Sequence, residues 1–196
     1  AMPYITRYGR VYVFYTYNTQ NLREVAFGDG DTCNRVDTLG DYVFKFSDDG
    51  GRSWSRERSV IPLRETQIDR RNPYGGRVRF FWGVGKPIRS GDGLYLGFSK
   101  VGKFGKGFME ISEGWFLRCG NIETERDPGK LRWETLPDGE SGLQSPGTKT
   151  VCDEANLTEL SDGSLFATCR TIEGHPLEAW SRDGGHSWAS GYMRYR

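Results

Sequence analysis

The feature that most constrains this chain is an eight-residue pattern that occurs twice. Ser47-Asp48-Asp49-Gly50-Gly51-Arg52-Ser53-Trp54 returns as Ser181-Arg182-Asp183-Gly184-Gly185-His186-Ser187-Trp188. Both follow S-x-D-x-G-x-S-W, and they start 134 residues apart, twice 67. Self-similarity at a fixed spacing points to a repeat architecture, in which each unit buries its face against the next. A third unit is expected halfway, near residue 114. There the chain runs Gly114-Trp115-Phe116-Leu117-Arg118-Cys119-Gly120, then an insertion, then Leu131-Arg132-Trp133-Glu134. This is the same unit with its turn sequence eroded.

Other elements repeat in the same phase. Pro3–Thr6 and Arg10–Tyr17 flank a turn at Tyr8-Gly9. Pro87–Arg89 and Leu94–Ser99 flank Asp92-Gly93, and Ala155–Leu160 and Ser164–Arg170 flank Asp162-Gly163. Asp-Gly between runs of β-branched and aromatic residues is a hairpin signal. Third strands are expected at Tyr42–Phe46, Trp115–Arg118 and Leu177–Ser181, each leading through a turn to a Trp that opens a fourth strand. Composition closes off the helical alternatives. With 27 glycines, only Arg10–Phe27 and Thr148–Asp162 run beyond a dozen residues without Gly or Pro. The 27 aromatic side chains favour strands. The fold expected is all-β: a four-stranded antiparallel meander repeated three times, as blades of a β-propeller. The blades fall roughly at 1–62, 78–138 and 150–196, in one partial propeller domain. Three blades do not close a ring, so the remaining blades are expected from further sequence or another chain.

The net charge of +1 argues against nucleic acid as a partner. No apolar run approaches 18 residues, so no membrane span is expected. Charge is uneven, however. Arg64–Lys106 carries ten Lys/Arg against three Asp/Glu. Such a segment suits an acidic glycan, or is a solvated basic face. The four cysteines form no C-x-x-C pair and no metal spacing with the two histidines, so no metal or cofactor is expected. Cys152 is expected opposite about residue 173, which argues against a disulfide with Cys169. The cysteines do not identify the compartment, and a secreted or periplasmic setting is expected over a cytoplasmic one.

The two S-x-D-x-G-x-S-W units resemble the Asp-boxes, or BNR repeats, of the sialidase-like propeller superfamily. In that reading Asp49 and Asp183 cap the tight turn and the Trp packs between blades, with no part in chemistry. The resemblance implies a six- or seven-bladed propeller and an exo-glycosidase acting on an acidic terminal sugar. It also extends to the third hairpin. Family members carry a Glu, then an apolar-E-L-x-D-G run, then an Arg sixteen positions after the Glu. Here Glu154 precedes Leu157-Thr158-Glu159-Leu160-Ser161-Asp162-Gly163, and Arg170 follows Glu154 by sixteen. The resemblance makes Glu154 the activator of a Tyr nucleophile and Arg170 one of three guanidiniums clamping the substrate carboxylate. Alternatively, the two are a salt bridge tying adjacent strands. The third clamp and the Tyr would lie beyond residue 196. Met2-Pro3 fits the family's entry motif, but Ala1 stands where that motif has Arg.

A meander blade sends its strand 2–3 loops to one face of the disc and its 3–4 turns to the other. The face away from the Asp-boxes is expected to collect Ala1–Pro3, Asn18–Gly40, Phe80–Pro87, Lys100–Glu113, Val151–Ala155 and Thr171–Pro176. Two of these are expected to be long loops. The family's acid/base Asp belongs in the first, where Asp37 is the first choice and Asp31 the second, with Arg35 beside them. Trp82 and Lys86 offer stacking and a cation for an acidic sugar. Trp82 is equally readable as packing between blades. His175 offers a base or acid, which with Lys86 suits the alternative of a lyase on uronate polysaccharides. A glycan-binding propeller without turnover is the third reading.

Overall fold

The computed structural model describes residues 1–26, 32–33, 40–81, 83, 85–105, 108–147 and 151–192. The first sheet is built from β1 (Met2–Ile5), β2 (Val11–Tyr17), β5 (Asp41–Ser47) and β6 (Ser59–Val60), in that spatial order. A short pair, β3 (Val25–Ala26) and β4 (Thr32–Cys33), lies in the β2–β5 connection. Alternation drives this sheet. Tyr12, Phe14, Tyr42 and Phe44 are buried on one face, while Val11, Val13 and Tyr15 are half-buried on the other.

A five-residue helix, α1 (Gln67–Arg71), leads into the second sheet. That sheet holds β9 (Gly93–Gly105), β10 (Phe108–Cys119) and β11 (Trp133–Leu136). Its innermost strand is split into β7 (Phe80–Phe81) and β8 (Ile88–Ser90), both paired with β9. The third runs β12 (Asp153–Glu159), β13 (Leu165–Arg170), β14 (Leu177–Ser181), β15 (Ala189–Tyr192). Every strand pair is antiparallel. These are three consecutive propeller blades. One expected loop is instead a strand pair: Lys100–Glu113 belongs mostly to β9 and β10, which continue as one hairpin with bulges near Ile111. Long runs of β-formers from Leu94 to Phe104 and from Phe108 to Leu117 keep pairing past the edge of the blade.

The two repeated turns have the same bonding. The Ser47 hydroxyl donates to Asp49 Oδ1 at 2.7 Å, and Asp49 accepts the Ser53 N–H at 2.8 Å. Ser181 donates to Asp183 at 2.7 Å, and Asp183 accepts the Ser187 N–H at 3.0 Å. The Ser53 hydroxyl, the Ser53 N–H and the Ser47 hydroxyl hold the Asp49 carboxyl down at about 2. Gly50, Gly51, Gly184 and Gly185 all have positive φ, which explains the paired glycines. The middle blade keeps the same device with other residues. Cys119 and Asn121 stand at the Ser and Asp positions, and the Asn121 side chain accepts the Arg132 N–H at 2.9 Å, one residue before Trp133. The insertion separates the two halves of the motif, which is why sequence comparison finds only an eroded unit.

The tryptophans report how blades stack. Trp133 of the second blade packs on Phe14 and Phe44 of the first, with ring centroids 5.9 and 6.1 Å apart. Trp188 of the third stacks on Phe116 of the second at 4.8 Å. Trp54, the first blade's counterpart, is 41% exposed.

The basic segment is not a bare cationic face. Lys100 is buried and donates to the Asp69 carboxylate, the Thr66 hydroxyl and the Arg64 carbonyl. Burial pushes the Lys100 ammonium below its ordinary value, and Asp69 opposes that push. Arg70 pairs with Glu140, Arg79 with Asp41, Arg89 with Glu123 and Lys103 with Glu110. Each of those four anions lies outside Arg64–Lys106, so part of the local excess of charge is compensated, although Asp92 of the segment is itself paired with Arg7. Among the described residues, no helix is long and apolar enough to cross a membrane.

Candidate functional site

The third blade positions the site. In β13 and β14, Leu165 pairs with Ser181 and Cys169 with Leu177. The Ser181–Trp188 turn is therefore at one end of the blade, and Arg170, the β13–β14 loop and the start of β12 are at the other. At that second end a cleft of about 490 Å³ is lined by Glu154, Asn156, Thr168, Arg170, His175 and neighbouring loop residues. Arg170 Nη1 lies 3.5 Å from Glu154 Oε1, and both side chains are substantially exposed. The sequence-predicted Glu154, Arg170 and His175 thus share one cleft. Thr171 braces its loop by donating its hydroxyl to the His175 carbonyl.

The register differs from the simple hairpin expected. Asp153, not Glu154, is paired with Arg170, and Asn156 is paired with Thr168. Glu154 and Ala155 therefore share one partner position, Cys169. This is a β-bulge, where two residues oppose one. Continued one residue, the register sets Cys152 level with Thr171 rather than with residue 173, one position of the difference coming from the turn and one from the bulge. The Cys152 and Cys169 sulfurs come together as free thiols behind the cleft. A Cβ on Gly114 would lie 3.0 Å from Cys169 Sγ and 3.2 Å from Cys152 Sγ, so the pair sits against the backbone of β10. The hydrogen bond with Cys152, then burial, then the nearby Asp153 charge push the Cys169 thiol well above its ordinary range.

The cleft has a sided structure. Cys169, Ala167 and Ala155 face the second blade, while Asn156, Thr168 and Arg170 face the opposite flank, which also carries Trp180 and Phe166, 5.4 Å apart. Its chemical equipment is a carboxylate, a planar cation and an imidazole at the mouth of an open groove. That set can bind a carboxylate and move a proton.

Lys86 is exposed and is not part of the lining, although neighbouring Gly85 abuts Asn156. Asp31, Arg35, Asp37 and Trp82 lie outside the described residues. Sequence reasoning missed Asp153. It is buried and accepts from the Ser99 hydroxyl of the second blade and from the Glu154 N–H. Its place next to Glu154 was visible, but no sequence period announces a bulge. Among the described residues, no cluster of His, Cys, Asp or Glu is close enough to hold a metal ion.

No protein-family model matches the sequence, and no curated protein matches it. Solved structures do. A protein of unknown function from Dyadobacter fermentans is 17% identical with a TM-score of 0.60, over all of this chain and 50% of its own. A family 117 glycoside hydrolase from the marine bacterium Zobellia galactanivorans is 12% identical with a TM-score of 0.54, over 97% of this chain and 54% of that one. The sialidase of Trypanosoma rangeli is 12% identical with a TM-score of 0.51, over 98% and 30%. The chain spans about half the length of the first two and less of the third. At such identities the likeness is one of fold: the blades, their turns and these neighbours together give the chain a sialidase-like β-propeller fold.

Proposed function

We propose that the chain forms part of a glycoside hydrolase that removes an acidic terminal sugar from a glycan. The observation that carries the reading is the convergence of Glu154, Arg170 and His175 on one cleft, at the blade end away from the Ser181–Trp188 turn. The two repeated turns are read as Asp-boxes, structural devices far from the chemistry. Arg170 presents a planar fork to the sugar carboxylate. Glu154 takes the proton of a nucleophilic hydroxyl as that oxygen attacks the anomeric carbon. The bond to the leaving oxygen breaks, and Asp37 or Asp31 protonates that oxygen. Water then hydrolyses the intermediate with the proton transfers reversed. The Trypanosoma rangeli sialidase was captured with 2,3-difluorosialic acid as a covalent intermediate, the chemistry this reading draws on.

The open flank beside Asn156, Thr168 and Arg170, and the exposed Trp54, are read as contacts for further blades, supplied by more sequence or by another chain. Those blades would complete the cleft wall and bring the nucleophile. The test is hydrolysis of aryl glycosides of sialic acid and of uronic acids by the full-length protein. Glu154→Gln is expected to lose about 10²–10⁴-fold in turnover, the usual contribution of acid–base assistance. Arg170→Ala is expected to act mainly through KM. Unchanged turnover in both variants reduces the pair to a strand-tying salt bridge.

A further inference from the structure

Glu154 has a backbone it should not choose. Its φ is 52°, in the left-handed region, and among the described residues Asn21 is the only other non-glycine with positive φ. Asparagine tolerates that region through its short polar side chain, whereas glutamate gains nothing from it locally. The first position of a bulge of this kind is ordinarily glycine. A merely structural bulge would be better served by glycine, and glycine is what this chain places at its other tight turns. Strain at a non-glycine persists only where surroundings over-determine it.

The surroundings here are identifiable. Asp153 is 2% exposed, and its Oδ1 accepts both the Glu154 N–H, at 3.0 Å, and the Ser99 hydroxyl. Ser99 is wholly buried in β9, beside the point where a Cβ on Gly97 would overlap the Ala155 carbonyl oxygen. The second blade therefore grips the Asp153 side chain, and that side chain grips the Glu154 amide. We propose that Asp153, tethered by Ser99, is the positioning residue of the cleft: it holds Glu154 in the left-handed conformation that turns its carboxylate toward Arg170. The role rests on Glu154 being the working carboxylate of the proposed hydrolase, and it makes the neighbouring blade part of the site. Asp153 itself touches no substrate.

Two measurements on the full-length protein test this, and they fail separately from the proposed function. The first is thermal unfolding in a double-mutant cycle, which needs no substrate. Glu154→Gly is expected to raise the unfolding midpoint by about 2–4 °C by relieving the left-handed backbone. In an Asp153→Ala background the bulge is free to relax, and the same change is expected to give no gain. Should Asp153→Ala fail to fold, Ser99→Ala provides the background. A Glu154→Gly variant that lowers the midpoint, as glycine in an ordinary strand does, or that gains equally in both backgrounds, overturns the proposal. The second is turnover on the aryl glycosides. Asp153→Ala is expected to lose at least tenfold in kcat with little change in KM. Asp153→Asn is expected to recover most of it, because an amide oxygen accepts both bonds and the charge is not used. Loss in Asp153→Asn as deep as in Asp153→Ala contradicts a positioning role. The cycle behaving as expected in a protein without turnover would overturn the hydrolase while leaving the positioning of Glu154 standing.

Discussion

The two seams between blades are built by different means. The first, between blades one and two, is filled with rings: Tyr12, Phe14, Phe44, Phe98, Trp115 and Trp133 belong to one buried cluster or pack on it. The second, between blades two and three, combines large apolar side chains such as Tyr95, Phe116, Leu136 and Leu165 with a set of small groups toward the cleft. Gly97, Gly114, Ala155, Ala167, Cys152 and Cys169 let backbones approach until a single added Cβ would collide. Its ring contacts, Phe116 on Trp188 and the Tyr95 hydroxyl donating to the Gly184 carbonyl, lie toward the turn end of the blades. Rings hold blades apart and supply apolar area, which is stability. Small residues supply little area but allow a side chain of one blade to reach the backbone of the next. Ser99 reaches Asp153 only because nothing bulky stands between β9 and β12. The contrast teaches that ring packing dominates the first seam, while in the second a stretch of close backbone approach is what the proposed placement of Glu154 rests on.

Substitutions can break this comparison, and the largest effect belongs to the first seam. Phe44→Ala removes a wholly buried ring that touches Tyr12, Phe14 and Trp133. It is expected to cost about 3–5 kcal/mol in denaturant unfolding. Where the variant still folds, it should leave the cleft's binding properties alone. A smaller effect is expected from Gly97→Ala, about 1–3 kcal/mol, as for other overpacked sites. Its signature differs in kind: pushing β12 away from β9 should pull Asp153 from Ser99 and weaken the cleft out of proportion to the lost stability. If both variants impair the cleft in proportion to stability alone, the two seams do the same job and the comparison fails.

Much of this was legible in the sequence. The twofold S-x-D-x-G-x-S-W pattern and the Asp-Gly hairpins announced the blades, because turn chemistry is local and repeats with the fold. The sixteen-residue spacing of Glu154 and Arg170 about the Asp162-Gly163 turn placed both at the same end of one hairpin, but not the register in which they meet. What stayed hidden depends on longer-range facts. Cys119 and Asn121 replace Ser and Asp across an insertion, so the motif survives as geometry and not as text. The compensation of Arg64–Lys106 required knowing that Glu140, Asp41 and Glu123 arrive from elsewhere. The bulge at Glu154 is set by contacts from another blade, which no local pattern encodes.

The claim at the centre of this account is that Arg170 and its cleft recognise an acidic sugar. Calorimetric titration of N-acetylneuraminic acid and of glucuronic acid into the protein addresses it without requiring turnover. Saturable binding is expected for at least one of them. Arg170→Ala should weaken it at least tenfold, roughly 1.4 kcal/mol. The same substitution should leave the unfolding midpoint nearly unchanged, because the ion pair with Glu154 is exposed. Affinity for both sugars that is the same in Arg170→Ala as in the unaltered protein would contradict the account.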